Sequence, residues 1–210
     1  MDPAIKGVKN IEFFAKGKRG YIYTGMLGRT KVAIKKESPS TRSPGTIRNE
    51  AEKLRILNKH GIGPKLLKKG KDYIVYRFIK GIPIRDFMGN GKTSKSQLKK
   101  VLMDALRKCF AMDKLGLNKE EMTNPYKHII VDASGKSKAN PKVQLIDFER
   151  CRKTLKPGNV TQFSQYIMSN KQLLDRKGFR IDKAKIIEAC KEYRKKMSKH
   201  NFEGIARKIG

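Results

Sequence analysis

Lys35 closes the run Val32-Ala33-Ile34-Lys35, behind a glycine-bearing turn and ahead of a segment that carries Glu50. Asp147 comes far downstream, at the end of the apolar run Val143-Gln144-Leu145-Ile146. In that order these residue types can perform one coherent piece of chemistry. Backbone amides at Gly17 and Gly20 can approach phosphate oxygens because no Cβ stands in the way. The Lys35 ammonium can neutralise those oxygens, and the Glu50 carboxylate can fix its direction. A carboxylate at a strand end, as at Asp147, suits a hard divalent cation bound to the same phosphates. Together these are the parts of a clamp for a nucleoside triphosphate and its magnesium.

The elements that must position these groups are legible in the pattern. Ile11 to Phe14, Tyr21 to Met26 and Lys31 to Lys36 are short runs rich in β-branched and aromatic residues, separated by glycine turns, and are expected to be strands. Ser38-Pro39-Ser40-Thr41-Arg42-Ser43-Pro44-Gly45 is expected to be loop. Thr46 can cap a helix in which Ala51, Leu54 and Leu57 recur at helical spacing, ended by Gly61-Ile62-Gly63-Pro64. Glu52 rivals Glu50 for Lys35 but faces roughly the opposite way on a helix. Lys65 to Lys68 and Asp72 to Phe78 read as two further strands around Lys69-Gly70-Lys71, and Ile79 to Pro83 as a stiff connector. Helices are then expected over Ile84–Met88, Ser96–Leu115, Thr161–Lys177 and Asp182–His200. His128 to Asp132 and Lys142 to Ile146 read as short strands joined by a mobile segment, Ala133 to Asn140.

Charge is the outlier of the composition. Fifty Lys+Arg against nineteen Asp+Glu give a formal net charge of +31 over 210 residues, a field that attracts RNA, ribosomes or acidic proteins. No apolar run is long enough to span a membrane, and Met1 to Lys6 lacks the apolar stretch of a secretory signal. Cys109, Cys151 and Cys190 are odd in number and widely spaced. That argues against a disulfide framework or a zinc site and for reduced thiols in a cytoplasmic protein. Gly91-Lys92-Thr93 and Gly135-Lys136-Ser137 imitate the end of a phosphate-binding loop. The earlier glycine is missing from both, with Asp86 and Ile130 in its place.

Strands, a helix, two more strands, a connector and then helices follow the order of a protein-kinase fold, and the residues above carry that likeness. The chain resembles a very small atypical protein kinase, of the group that includes the RIO family and the compact kinase of the KEOPS complex. It looks most like an archaeal family of predicted Ser/Thr protein kinases. The resemblance runs from about Ala15 to Cys151. It implies an α+β, bilobal protein-kinase-like fold with a β-rich N-lobe over residues 1–80 and a reduced helical C-lobe over 81–210, one kinase domain in all. It implies ATP and Mg2+ as cofactors. Gly17, Gly20 and Ile22 would form the phosphate loop, Ala33 would line the adenine pocket, and Lys35 would contact the α- and β-phosphates, paired with Glu50. The backbone of the connector from Tyr76 to Phe78 would pair with adenine, and Asp147 would hold the metal. Ala15 stands where the family's first loop glycine belongs, and Glu149 replaces the glycine of Asp-Phe-Gly.

The catalytic loop departs further. The family expects an aspartate, then an asparagine five residues on, just before a strand. Here His128 stands at the asparagine position and Thr123 at the aspartate position. A loop two residues longer would put Glu121 in the aspartate's role, orienting or deprotonating a hydroxyl, with Asn124 as a metal ligand. His128 is a metal or phosphate candidate or a structural residue, and the alternatives stay open. About 60 residues follow Asp147 and no Ala-Pro-Glu segment occurs, so a peptide-docking activation segment is not expected. The functions implied are an ATP- and Mg-dependent Ser/Thr kinase acting on an unknown protein substrate, or an ATPase. The alternatives are a nucleotide-binding pseudokinase scaffold and a basic RNA- or ribosome-associated factor.

Overall fold

The short β-rich runs pair into a sheet. In the computed structural model, which describes residues 3–17, 19–39 and 45–209, β1 (Val8–Lys16), β2 (Gly20–Leu27), β3 (Thr30–Glu37), β4 (Leu66–Lys69) and β5 (Tyr73–Arg77) form a five-stranded antiparallel sheet in the order β1-β2-β3-β5-β4. The turn into β2 is drawn tight by the Gly17 amide, which donates to the Gly20 carbonyl at 2.8 Å. A Cβ at Gly20 would run into the Lys36 carbonyl oxygen on β3, so this crossing needs glycine. Lys18 and residues 40–44 of the expected loop lie outside the described residues.

Side chains alternate along β3. Val32 and Ile34 enter an apolar cluster with Ile5, Tyr23 and Val75. Ala33 and Lys35 therefore point to the other face, opposite Tyr76 and Ile74 of β5 in register. Helix α1 (Thr46–Asn58) buries Ile47, Glu50, Ala51, Leu54 and Leu57, one stripe at helical spacing. Its start differs from expectation. Thr46 is inside the helix, and Gly45 caps it with a left-handed backbone (φ 83°). The Glu37 carboxylate accepts from both the amide and the hydroxyl of Thr46 at 3.1 Å, setting a negative charge at the positive helix end.

The chain forms two compact units, one of residues up to Ile79 together with Ile146–Cys151, the other of Lys80–Leu145 with Arg152–Gly210. The first break between the units falls after Ile79, and the segment carrying Asp147 belongs to the first unit. In the second unit, α2 (Ile84–Gly89) and α3 (Lys95–Lys114) are accompanied by two small sheets. β6 (Ile82–Pro83), β8 (Ile129–Asp132) and β9 (Lys142–Leu145) form one, and β7 (Leu117–Asn118) with β10 (Arg152–Lys153) forms the other. The segment from Ala133 to Asn140, expected to be mobile, is tied to α3: Gln97 donates to the Lys138 carbonyl at 2.6 Å and Lys100 to that of Ala139 at 2.9 Å.

The two C-terminal helices expected from periodicity are four: α4 (Asn159–Ser169), α5 (Lys171–Arg176), α6 (Lys183–Lys195) and α7 (Lys199–Ile209). Asn170 separates the first pair because its side chain bonds the Tyr166 carbonyl at 2.8 Å, competing with the helical ladder. Lys196 is extended (φ −140°), which ends α6. Ser198 then accepts from the Asn201 amide at 3.2 Å at the start of α7. Among the described residues no helix is long and apolar enough to cross a membrane. The observed architecture is α+β, an N-terminal antiparallel sheet followed by helices and small sheets.

Candidate functional site

The Lys35 ammonium sits among three carboxylates of the first unit. It donates to Glu50 Oε2 at 2.7 Å and to Asp147 Oδ1 at 2.9 Å, and lies 3.1 Å from Glu149 Oε2. Burial alone would pull its pKa down. The negative charges of Glu50, Asp147 and Glu149 outweigh that and hold it well above the ordinary lysine value. The opposite balance acts on Glu50, which is only 2% exposed: burial pushes its carboxyl up, Lys35 pulls it back, and Asp147 adds to the upward push. Glu52, the rival on the same helix, is exposed.

Glu50 does two jobs with its two oxygens. Oε2 aims Lys35, and Oε1 accepts from the Phe148 amide at 3.1 Å, gripping the segment that carries Asp147. Phe148 is fully buried. A Cβ added at Gly63 would come within 2.8 Å of Leu54 and 2.9 Å of Phe148, so this left-handed glycine (φ 78°) clears the space for the ring. Asn49, one residue before Glu50, clasps the same segment by donating to the carbonyls of Glu149 (2.8 Å) and Cys151 (3.1 Å). Under this grip Asp147 adopts φ 63°, a conformation that costs a non-glycine residue on the order of 1–3 kcal/mol.

Two side chains that the sequence pattern does not single out join the cluster. Glu149 stands in the sequence only as the replacement of a glycine, yet its Oε1 accepts from Arg19 at 2.6 Å while Oε2 faces Lys35. Arg19 lies between Gly17 and Gly20, in the turn assigned to phosphate by its glycines alone. The signal available is a charge on each of two segments that the fold brings together. Glu50, Asp147 and Glu149 offer carboxylate oxygens within 4.8 Å of one another, a hard donor set that fits a divalent cation such as Mg2+.

Four of the remaining candidates, Ile22, Ala33, Tyr76 and Phe78, belong to the first unit. Ile22 pairs in register with Lys35, and Ala33 is buried opposite Tyr76. Burial raises the Tyr76 phenol pKa and the charges of Glu50 and Asp147 raise it further, against Lys35, so Tyr76 senses the cluster and keeps its proton. Phe78 packs its ring edge-on to Phe14 and beneath the Lys31 ammonium, 4.7 Å from the ring centre. Glu121 and His128 meet in the second unit, and Asn124 shares a backbone turn with Glu121. His128 Nε2 lies 2.8 Å from the Glu121 carboxylate, and the Asn124 backbone N–H donates to the Glu121 carbonyl at 3.1 Å. Glu121 is itself left-handed (φ 71°), and Thr123 beside it is exposed.

A buried polar cluster of another kind lies in the second unit. Asp113, 1% exposed, accepts from the Asn159 amide (2.9 Å) and side chain (2.6 Å), the Val160 amide (3.2 Å) and the Tyr193 hydroxyl (3.0 Å). It thus caps α4 and joins it to α3 and α6. Compared with known proteins, the chain matches no protein-family model and no curated protein.

Proposed function

We propose that the protein binds ATP with Mg2+ and acts as a phosphotransferase of the atypical Ser/Thr kinase type, or as an ATPase. The observation that carries this reading is one ammonium, Lys35, bonded at once to a helix carboxylate and to Asp147, whose next residue, Phe148, donates its amide to that same carboxylate. Lys35 would donate to phosphate oxygens while Glu50 keeps it aimed. Gly17 and Gly20 would let backbone amides approach the same oxygens, and Ala33, a small side chain on the Lys35 face, would line the purine site. Glu50, Asp147 and Glu149 supply the oxygens that would hold Mg2+. The metal would neutralise charge developing on the transferred phosphoryl group. Most of the acceleration in such a reaction comes from positioning and charge, so few side chains suffice.

Millimolar Mg-ATP is expected to raise the melting temperature. Lys35→Met and Asp147→Asn are expected to abolish that shift while each variant still melts cooperatively. A wild-type melting curve unmoved by Mg-ATP would remove the reading. Where ATP does bind, turnover of γ-labelled ATP in Glu121→Gln decides whether that carboxylate acts as a base, because an unchanged rate excludes it.

A second reading, polyanion binding, has its own support. Net charge is +31, and a concave face of the second unit, about 660 Å³, is lined by Arg152, Lys156 and Arg194, which have no acidic partner among the described residues. RNA binding of this kind should weaken steeply with salt, and a flat salt response would exclude it.

A further inference from the structure

Glu149 is the carboxylate of the cluster that Lys35 does not need for its aim. A carboxylate that only supported Lys35 would duplicate Glu50, which already bonds the ammonium at 2.7 Å from deeper in the protein. Glu149 instead bridges. One oxygen takes the Arg19 guanidinium at 2.6 Å and the other faces the Lys35 ammonium at 3.1 Å. Two cations from two different segments, converging on the two oxygens of one anion, is how a phosphate group is held. Arg19 belongs to the glycine turn, whose position is set independently of the side chain: the Arg19 carbonyl accepts from the Ser38 amide at 3.0 Å and Gly17 bonds Gly20. The Glu149 backbone is likewise anchored on its own, by Asn49. Its side chain can therefore leave both cations by rotation, with the main chain staying in place. The bridge is sheltered, with side chains 19% and 14% exposed, so exchanging it carries a measurable free energy.

We infer that Glu149 is a built-in phosphate surrogate: its carboxylate occupies the place of a nucleotide phosphate between Arg19 and Lys35, and a polyphosphate binds by taking both cations from it. This rests on the nucleotide reading of the same site and adds a regulatory consequence. Binding becomes a competition, which disfavours ligands that bring few phosphate oxygens and favours the triphosphate. No bond is made or broken. The Lys35–Glu50 contact persists, and the freed carboxylate turns to solvent or to the metal.

The test uses the full chain and calorimetric titration with EDTA, so that a metal's charge does not enter, and compares ATP with adenosine. Glu149→Gln is expected to bind ATP about 10-fold more tightly than wild type, the size of one charge-assisted hydrogen bond, and to bind adenosine unchanged. Glu149→Ala should show the same direction. Arg19→Gln should weaken ATP and leave adenosine unchanged. Wild type that binds ATP, with Glu149→Gln and Glu149→Ala binding it equally or more weakly, overturns the surrogate and leaves the nucleotide reading standing. Equal tightening for adenosine overturns it too, since the effect would then not be phosphate exchange. If neither wild type nor the Glu149 variants bind ATP or adenosine, the nucleotide reading fails and the surrogate with it.

Discussion

Glu50 and Asp113 are both carboxylates with almost no exposure, one in each unit, and their surroundings differ in kind. Asp113 is bonded by four neutral donors, from Asn159 twice, Val160 and Tyr193, which matches the acceptor capacity of a carboxylate. Nothing in that arrangement can be handed to a ligand without leaving a donor buried and unmatched. Glu50 is matched by a cation that it shares with Asp147 and Glu149, and Arg19 completes a group of three carboxylates against two cations. Such a group can exchange partners, because an arriving anion and an arriving metal each find a counter-charge. The comparison teaches that burial by itself does not mark a site. What marks one is charge held among partners that could be redistributed.

The comparison is sharpened most by Asp113→Ala. Losing one acceptor for four buried donors should destabilise the fold by about 4 kcal/mol in urea denaturation. ATP affinity per folded molecule should not change. A parallel loss of affinity would break the distinction by making Asp113 part of the site.

Lys35→Met comes next, at about 3 kcal/mol, because it leaves Glu50 buried beside Asp147 with no ammonium. The double variant Lys35→Met/Glu50→Leu should recover much of that stability and none of the nucleotide binding. If the double variant is no more stable than the single one, the cost lies in packing and not in the stranded charge.

The smallest effect is a slope with pH. Burial pushes the Asp113 carboxyl up, against the donors from Val160, Asn159 and Tyr193. A carboxyl raised in the folded state contributes stability that is fully present below its unfolded value of about 3.9 and is lost as pH rises through the folded value. The stability difference between wild type and Asp113→Asn should therefore shrink as pH rises above roughly 4. A difference that grows with pH would show that the four donors win over burial.

How far the sequence could be read follows from what each feature depends on. The strands, α1 and α3 were legible because alternation and helical spacing are written in neighbouring residues. The breaks at Asn170 and Lys196 were not, since an apolar stripe continues past a residue whose side chain or backbone interrupts the ladder. Helix geometry says only that Glu50 and Glu52 face opposite ways. The preference for Glu50 comes from the resemblance of Arg48-Asn49-Glu50-Ala51 to the corresponding helix of atypical kinases, and the fold buries Glu50 and exposes Glu52. Glu121 and His128 each stand out in the sequence as candidates, but their contact accompanies a left-handed backbone at Glu121 that no local pattern announces.

The residue types alone determined which chemistry was open to this chain: glycines that admit phosphate, a lysine on a strand, carboxylates at a helix and a strand end, and an excess of positive charge. Only the tertiary structure decided which of fifty basic side chains meet which carboxylates. Arg19 and Glu149 are 130 positions apart, and they meet because Asn49, Glu50 and Phe148 fasten the late segment onto the first unit. Coulomb attraction falls off over a few ångströms in a screened solvent, so a charge pair has no meaning in sequence until packing fixes the distance.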